Sequence, residues 1–221
     1  GNRIGTDVTG SAALLNSASG VYMDRSYFNW IGTNGDGVGD ALEGNLISGN
    51  GGNGVELFGV GSTDNMIAGN KIGLDASGTL ALPNGDNGVL LGPNGDLNWV
   101  GTNGDGISDT AERNIISGNS LCGVYISGAQ NRVAGNYIGT DISGTSAVAN
   151  QTYGVCIYNA IANAIGSNGD GVGDSREGNL ISGNQYGGVY LGTTGITTAA
   201  NSLYGNWIGT TAGGTGALGN I

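Results

Sequence analysis

The chain has 221 residues, of which 48 are glycine, 2 are proline and 38% are hydrophobic. This much glycine without a three-residue period excludes collagen, and the hydrophobic fraction is too high for a flexible linker, which leaves an ordered, turn-rich fold. Seventeen acidic and six basic residues give a formal net charge of −11, so we expect neither nucleic acid nor an anionic membrane surface as a partner. No apolar run approaches the ~18 residues that span a bilayer, and membrane insertion is not expected.

A repeated unit begins at each of six Gly-Val pairs. These pairs start at Gly20, Gly54, Gly88, Gly123, Gly154 and Gly188, 31 to 35 residues apart. Self-similarity with a period of this length is typical of a solenoid. Residues 1–19 read as the end of a further unit, so we expect six coils of about 34 residues plus a partial one, in a single domain over residues 1–221.

Each unit contains three short runs with apolar residues at alternate positions, separated by glycine or asparagine, which is the pattern of strands and turns. The second runs begin at Asn29, Asn65, Asn98, Asn131, Asn163 and Asn201, and the third at Asn45, Asn70, Asn114, Asn136, Asn179 and Asn206. Because a one-faced strand cannot bury its apolar side alone, the coils are expected to stack about 4.8 Å apart around a shared aliphatic core. Asparagines at equivalent corners are then expected to form hydrogen-bonded ladders.

The patterns GVxI, NxIxGN and NxIG, complete in residues 123–139, resemble the right-handed parallel β-helix family, the pectate-lyase-like solenoids. They are similar in particular to the Gly/Asn-rich repeats of large bacterial surface proteins. The resemblance covers essentially all 221 residues. It implies an all-β scaffold with three short parallel strands in each coil, and the right-handed sense also follows from the general crossover preference.

Successive units differ in where they carry an insertion. Units that start at Gly20, Gly88 and Gly154 insert between the second and third runs, whereas the others insert after the third run. The true period is therefore a pair of coils, 66 to 70 residues long.

Three insertions follow the spacing of a twelve-position calcium loop: GTNGDGVGDALE from Gly32, GTNGDGISDTAE from Gly101 and GSNGDGVGDSRE from Gly166. Calcium binds six to eight oxygens around a sharp turn, and this spacing supplies an amide, two carboxylates, a backbone carbonyl and a final glutamate. The predicted ligands at positions three, five, seven, nine and twelve are Asn34, Asp36, Val38, Asp40 and Glu43; Asn103, Asp105, Ile107, Asp109 and Glu112; and Asn168, Asp170, Val172, Asp174 and Glu177. We expect Ca²⁺ to bind there and to stiffen the coils.

These loops are similar to the calcium loops of dockerins and thrombospondin type 3 repeats, with one departure. Position one is Gly32, Gly101 or Gly166, where those families have aspartate. This removes one ligand. The alternative is that the Asn-Gly-Asp-Gly segments only form tight, hydrogen-bonded Asx-type turns.

The other insertions contain Thr-Asp-x-x-Gly, with Asp7, Asp75 and Asp141, and Thr211 in the last copy. We interpret them as hydrogen-bonded turns, since one carboxylate per loop is a poor metal site. The outward positions of the third runs are largely apolar: Leu46, Lys71, Ile115, Tyr137, Leu180 and Trp207. We expect the insertions to cover them, through Val38, Ile107, Val172 and the Ala-Leu pairs.

Catalysis is not expected, because the chain contains no histidine and the outward strand positions hold no paired carboxylates. Outward aromatic residues beside Glu56 are candidate carbohydrate or partner contacts, since aromatic faces suit sugar rings. These candidate contacts are Tyr22, Glu56, Tyr125 and Tyr190. Simple stacking between coils is the alternative for the tyrosines.

The two cysteines, Cys122 and Cys156, are one period apart. Alignment of the repeats places Cys156 opposite Tyr125 and Cys122 opposite Tyr153. The two cysteines are therefore three positions apart along the paired strands. A disulfide between them is therefore not expected, and two free thiols would leave the redox compartment open.

The sequence thus predicts a non-enzymatic, calcium-stabilised structural or adhesive module of an extracellular surface protein or filament. Since neither end resembles a cap, we expect continuation of the array or end-to-end self-association. The alternatives are a carbohydrate-active β-helix, either a polysaccharide lyase or a glycoside hydrolase, and a phage tailspike-like shaft.

Overall fold

The computed structural model describes residues 1–195 and 197–221 as an all-β parallel solenoid with three strands in each coil. The strands form three sheets, in which every pairing between neighbouring strands is parallel. About five full turns, of about 34 residues each, separate the first and last strands of a six-stranded sheet. The predicted fold class is confirmed.

The strands begin where the repeat predicts. The first sheet contains Val21–Asp24, Val55–Phe58, Val89–Leu91, Val124–Ile126, Tyr153–Tyr158 and Gly187–Gly192. The second contains Trp30–Gly32, Met66–Ala68, Trp99–Gly101, Arg132–Ala134, Ala164–Gly166 and Ser202–Tyr204. The third contains Arg3–Ile4, Leu46–Ile47, Lys71–Ile72, Ile115–Ile116, Tyr137–Ile138, Leu180–Ile181 and Trp207–Ile208. Helix is confined to a 3-10 turn at Asp40–Leu42 and one α-helical turn at Asp174–Glu177, and no helix in residues 1–195 and 197–221 has the length and apolar character needed to cross a bilayer.

The core is one continuous aliphatic column inside the coils. Equivalent residues of successive coils stack in register, as Ile116 does between Ile72 and Ile138. All three of these side chains are fully buried. Burial of such a side chain contributes about 1.5–3 kcal/mol, but only when the next coil covers it, so the column is stable as a repeat.

Asparagine ladders line the corners, as expected. In the ladder before the third sheet, each Nδ2 donates to the Oδ1 of the next asparagine at 2.8 to 3.0 Å; its members are Asn2, Asn45, Asn70, Asn114, Asn136, Asn179 and Asn206. A ladder before the second sheet runs from Asn29 to Asn201. A further ladder that the repeat analysis did not identify follows the third sheet; its members are Asn16, Asn50, Asn84, Asn119, Asn150, Asn184 and Asn220.

The insertions that follow the third strands fold back over the outer face of the third sheet. Each is a narrow turn closed by an antiparallel bridge, for example Leu74 with Ala81. Gly10 lies against Leu46, and Gly144 lies against Tyr137 and Leu180. The insertions therefore cover this face, but the expected role of Val38, Ile107 and Val172 was wrong: these three are 74%, 54% and 50% exposed, because their own loops lie at a different corner.

Candidate functional sites: acidic loops and a tyrosine groove

The first, second and third acidic loops are residues 32–43, 101–112 and 166–177, and they lie at the same corner of alternate coils. Each starts at the end of a second-sheet strand, where glycine has φ of +104°, +101° or +98°. A Cβ at Gly32 would be 1.8 Å from the carbonyl oxygen of Ala68 in the next coil, and Gly101 and Gly166 are equally confined. Position one therefore cannot hold the aspartate of a calcium loop, because both φ and space require glycine.

The polar side chains of each acidic loop bind the backbone of their own loop. In the first loop, Asp36 Oδ1 accepts from the Val38 amide at 2.8 Å, while Asn34 Oδ1 accepts from the Asp36 amide at 3.1 Å. Asp40 accepts from Thr33 Oγ1 and from the Gly37 amide, and Glu43 Oε2 accepts from the Asn34 amide. The second and third loops repeat these bonds with their own Asp, Asn and Glu residues.

These contacts are those of the turn alternative, and they do not match twelve-position calcium coordination. Within residues 1–195 and 197–221, no three His, Cys, Asp or Glu side chains are grouped so that they could hold one metal ion. Calcium binding remains a prediction, but the three loops do not provide three equivalent, converging ligand sets. The sequence analysis did not select position two, where Thr33, Thr102 and Ser167 donate to the aspartate at position nine. The presence of a hydroxyl residue at this position in all three copies could have indicated its role.

Three loop carboxylates have shifted pKa values. A hydrogen bond from Ser108 of the second loop holds the pKa of Asp40 below its usual range. The Val172 amide lowers the pKa of Asp170 in the same way. Burial raises the pKa of Glu112, despite hydrogen bonds from Thr102 and Asn103, and the charges of Asp105 and Asp109 add to the effect.

Two carboxylate oxygens of the second loop are buried without a hydrogen-bond partner: Glu112 Oε1 and Asp109 Oδ2. Glu112 is 0% and Asp109 is 2% exposed. Unpartnered buried carboxylates are costly unless they are protonated or bind a cation. In the third loop, by contrast, Glu177 pairs with Arg132.

The second candidate site is a groove of about 370 Å³ on the outer face of the first sheet. We call it the tyrosine groove; its lining includes Tyr125, Tyr153, Tyr158, Tyr190, Leu90, Leu121, Cys122 and Cys156. The rings of Tyr153 and Tyr190 stack with centroids 4.9 Å apart, and those of Tyr125 and Tyr158 lie 6.5 Å apart. Burial raises the pKa of Tyr125, with a further contribution from Tyr158.

Cys122 and Cys156 form a disulfide within the tyrosine groove, which corrects the expectation of two free thiols. Cys156 pairs with Tyr125 in the sheet, as the repeat predicts. Three extended residues would separate Cys122 from that level by about 10 Å along the strand. The backbone bends at Gly123, just before the strand Val124–Ile126, and this brings the two Cα atoms to 6.3 Å.

The sequence-predicted contact residues divide between two places. Tyr125 and Tyr190 line the tyrosine groove, together with Tyr153 and Tyr158, which the sequence analysis did not select. Tyr22 and Glu56 lie at the other end of the sheet, paired with each other. Glu56 there accepts hydrogen bonds from Ser19 and Asn53, and it is two coils from Tyr125, with Leu90 between them.

The sheet thus brings ring faces together but places no acid in the groove lining. A cleft of this kind can bind a flat apolar or amphipathic ring. No family model, no curated protein and no solved structure matches the chain.

Proposed function

We propose that the chain is a non-enzymatic structural and adhesive module of an extracellular surface protein, with the solenoid as a rigid spacer and the tyrosine groove as its binding surface. The observation that carries the proposal is the groove itself, in which four tyrosines surround a disulfide on an otherwise regular sheet face. Aromatic ring faces suit the apolar faces of sugar rings, and the volume is in the range of small-ligand sites.

The disulfide supports the extracellular assignment, because disulfides persist in oxidising environments and are rare in the cytosol. The net charge of −11 favours a neutral glycan over an acidic polysaccharide as the ligand. Calcium stabilisation of the acidic corner belongs to the same proposal, since the two partnerless carboxylate oxygens of the second loop would gain a counter-charge.

Association along the solenoid axis is also part of the proposal. The last coil exposes Trp207 and Ile208 at 46% each, and the equivalent Leu180 and Ile181 of the previous coil are buried. A second copy stacked end to end would cover this surface and pair its strand edges. The native mass of the 221-residue chain in solution tests this association, because self-association raises it above that of one chain.

The binding surface is tested with a soluble neutral glucan and with polygalacturonate, measured by affinity electrophoresis. We expect retardation by the neutral glucan, loss of retardation in Tyr125→Ala and Tyr190→Ala, and no change in Tyr27→Ala, an exposed tyrosine outside the groove. Wild-type mobility that no glucan alters would contradict the adhesive role. New reducing ends or unsaturated products from polygalacturonate would favour the carbohydrate-active enzyme instead.

A further inference from the structure

A groove runs along the outer face of the third sheet, between the ends of the acidic loops and the insertion turns. It consists of three hollows of about 300, 190 and 170 Å³. Lys71 lines the first two hollows and Arg113 lines the last two, so the hollows are continuous. The groove spans all seven strands of the sheet, which is about 29 Å at the usual strand spacing.

The groove contains four of the six basic residues of the chain. Each hollow is lined by two of them: Arg3 and Lys71 in the first, Lys71 and Arg113 in the second, and Arg113 and Arg176 in the third. Among the described residues, no Asp or Glu lines any of the three hollows. We call this surface the basic groove, and in a chain of net charge −11 it concentrates the positive charge in one place.

The charge of the basic groove is not compensated by carboxylates of the same chain. Within residues 1–195 and 197–221, the ion pairs are those of the two basic residues outside the groove, Arg25 with Asp24 and Arg132 with Glu177. The chain has seventeen acidic residues, so a shortage of carboxylates does not explain this distribution.

Neutral groups hold the cations in place instead. Lys71 Nζ donates to the carbonyl oxygen of Ala76 at 2.6 Å, and Arg113 Nε donates to that of Gly135 at 3.1 Å. The Arg113 guanidinium also lies 4.1 Å from the centre of the Tyr137 ring. These contacts orient the cations but leave their charge available, which favours an anionic partner.

The acidic loops form a ridge beside the basic groove. Positions five and seven of each loop are exposed, and together they form what we call the acidic ridge: Asp36, Val38, Asp105, Ile107, Asp170 and Val172. Position ten of each loop lines one hollow: Ala41, Thr110 and Ser175. Each ridge tip therefore has a hollow beside it, and tips and hollows both recur once in two coils, about 10 Å apart.

We propose that two copies of this chain associate side by side, with the acidic ridge of each copy in the basic groove of the other. Since ridge and groove belong to the same two-coil repeat, their spacings match, and three tips face three hollows. Ridge and groove are adjacent on one side of the solenoid, so a two-fold axis satisfies both and closes the assembly as a dimer. Whether the two solenoids are parallel or antiparallel, the middle tip, Asp105, faces the middle hollow, with Lys71 and Arg113.

A second copy accounts for two features of the surface together. It compensates the four cations of the basic groove, and it covers the aliphatic residues Val38, Ile107 and Val172, which are at least half exposed in the single chain. A free polyanion would compensate the cations but leave these aliphatic side chains in water. Repulsion between the two negatively charged copies is screened beyond about 8 Å at physiological ionic strength, so the local contacts decide the association.

The first test is the native mass of the chain by sedimentation equilibrium in EDTA, at low and at high NaCl concentration. We expect a monomer–dimer equilibrium that high salt weakens, because the contacts are ionic. Ile208→Lys charges the exposed end of the aliphatic core, where Ile208 is 46% exposed, and should keep this dimer. End-to-end stacking would instead be lost in Ile208→Lys, so the two kinds of association are distinguishable.

A charge exchange at the middle contact is the second test. Arg113→Glu and Asp105→Lys should each weaken dimerisation by at least about tenfold, since like charges then face each other. The matched controls, Arg25→Glu and Asp64→Lys, change the net charge equally at an exposed corner elsewhere and should leave dimerisation unchanged. Far-UV circular dichroism checks that each variant folds.

An equimolar mixture of Arg113→Glu and Asp105→Lys should recover association. In the mixed dimer, one middle contact is that of the wild type, and in the other the two substituted charges face each other with opposite sign. A monomeric wild type, a dimer that salt does not weaken, unchanged dimerisation in Arg113→Glu, or no recovery in the mixture would overturn the proposal. Glycan retardation by the tyrosine groove is measured separately and does not depend on these outcomes.

Discussion

Arg132 and Glu177 form a buried ion pair that connects two levels of the solenoid, although they are 45 residues apart in the chain. The pair lies between the second and third acidic loops, and Trp99 covers the guanidinium. Removal of one partner of a buried ion pair leaves the other charged and unpaired, which costs more than the pair itself contributes.

Arg132→Met should therefore lower the free energy of unfolding by about 3–5 kcal/mol in EDTA. Urea denaturation measures this, and the double variant with Glu177→Gln should recover part of the loss, since the uncompensated charge is gone. Arg176→Met, which alters an exposed arginine of the same corner, should change stability by under about 0.5 kcal/mol. Equal effects of Arg132→Met and Arg176→Met would show that the pair has no structural role.

The asparagine ladders should contribute most to the free energy of unfolding at their buried, central members. Asn114 is fully buried and donates to Ile67 O and Asn136 Oδ1, while its own Oδ1 accepts from Asn70. Asn114→Ala leaves several buried groups without partners and should cost about 3 kcal/mol. Asn29→Ala, at the exposed first rung of another ladder, should cost less than about 1 kcal/mol in the same denaturation experiment.

Loss of the disulfide should destabilise the chain and loosen the tyrosine groove. The bond closes a loop of 34 residues, for which the chain-entropy relation gives about 4 kcal/mol. Cys122→Ser and reduction with dithiothreitol should lower the melting temperature by similar amounts, and dithiothreitol should not affect the variant further. Two thiols that react with Ellman's reagent in the unreduced, denatured wild type would contradict the bond.

Acid should destabilise the chain through the aspartates of the Thr-Asp-x-x-Gly turns. Burial acts to raise the pKa of Asp141, but hydrogen bonds from Ser143 and from the Ser146 and Thr145 amides outweigh it and lower the pKa below its usual value of 3.8. A depressed pKa in the folded state contributes stability above the unfolded value, which is lost as the pH falls through the folded value.

The melting temperature of Asp141→Asn should accordingly fall less steeply than that of the wild type between about pH 5 and pH 2. Asp64→Asn alters an exposed carboxylate at another corner and serves as the control, with the steepness of the wild type. If Asp141→Asn and the wild type have the same pH dependence, the hydrogen bonds of this turn do not stabilise the carboxylate form.

The repeat in the sequence by itself determined the architecture. Alternating apolar positions with glycine and asparagine between them specify short strands, and a period near 34 residues leaves stacking as the only way to bury their apolar faces. The strand starts, the register of Tyr125 with Cys156 and the asparagine ladders before the second and third sheets were predicted from that periodicity, whereas the ladder after the third sheet was not. The Asn-Gly-Asp-Gly segments of the acidic loops likewise indicated hydrogen-bonded turns.

Tertiary structure decided what those residues contact across levels. The disulfide depended on a bend at Gly123 that spacing cannot reveal, and the tyrosine groove gathers Tyr153 and Tyr158 from one strand with Tyr125 and Tyr190 from its neighbours. Arg132 and Met66 occupy equivalent positions in the sequence pattern, but only the stacked coils show that Arg132 pairs with Glu177, whereas Glu112 Oε1 is buried without a partner. The physical reason is that a period specifies which positions are stacked, whereas charge compensation depends on side chains that the period does not constrain.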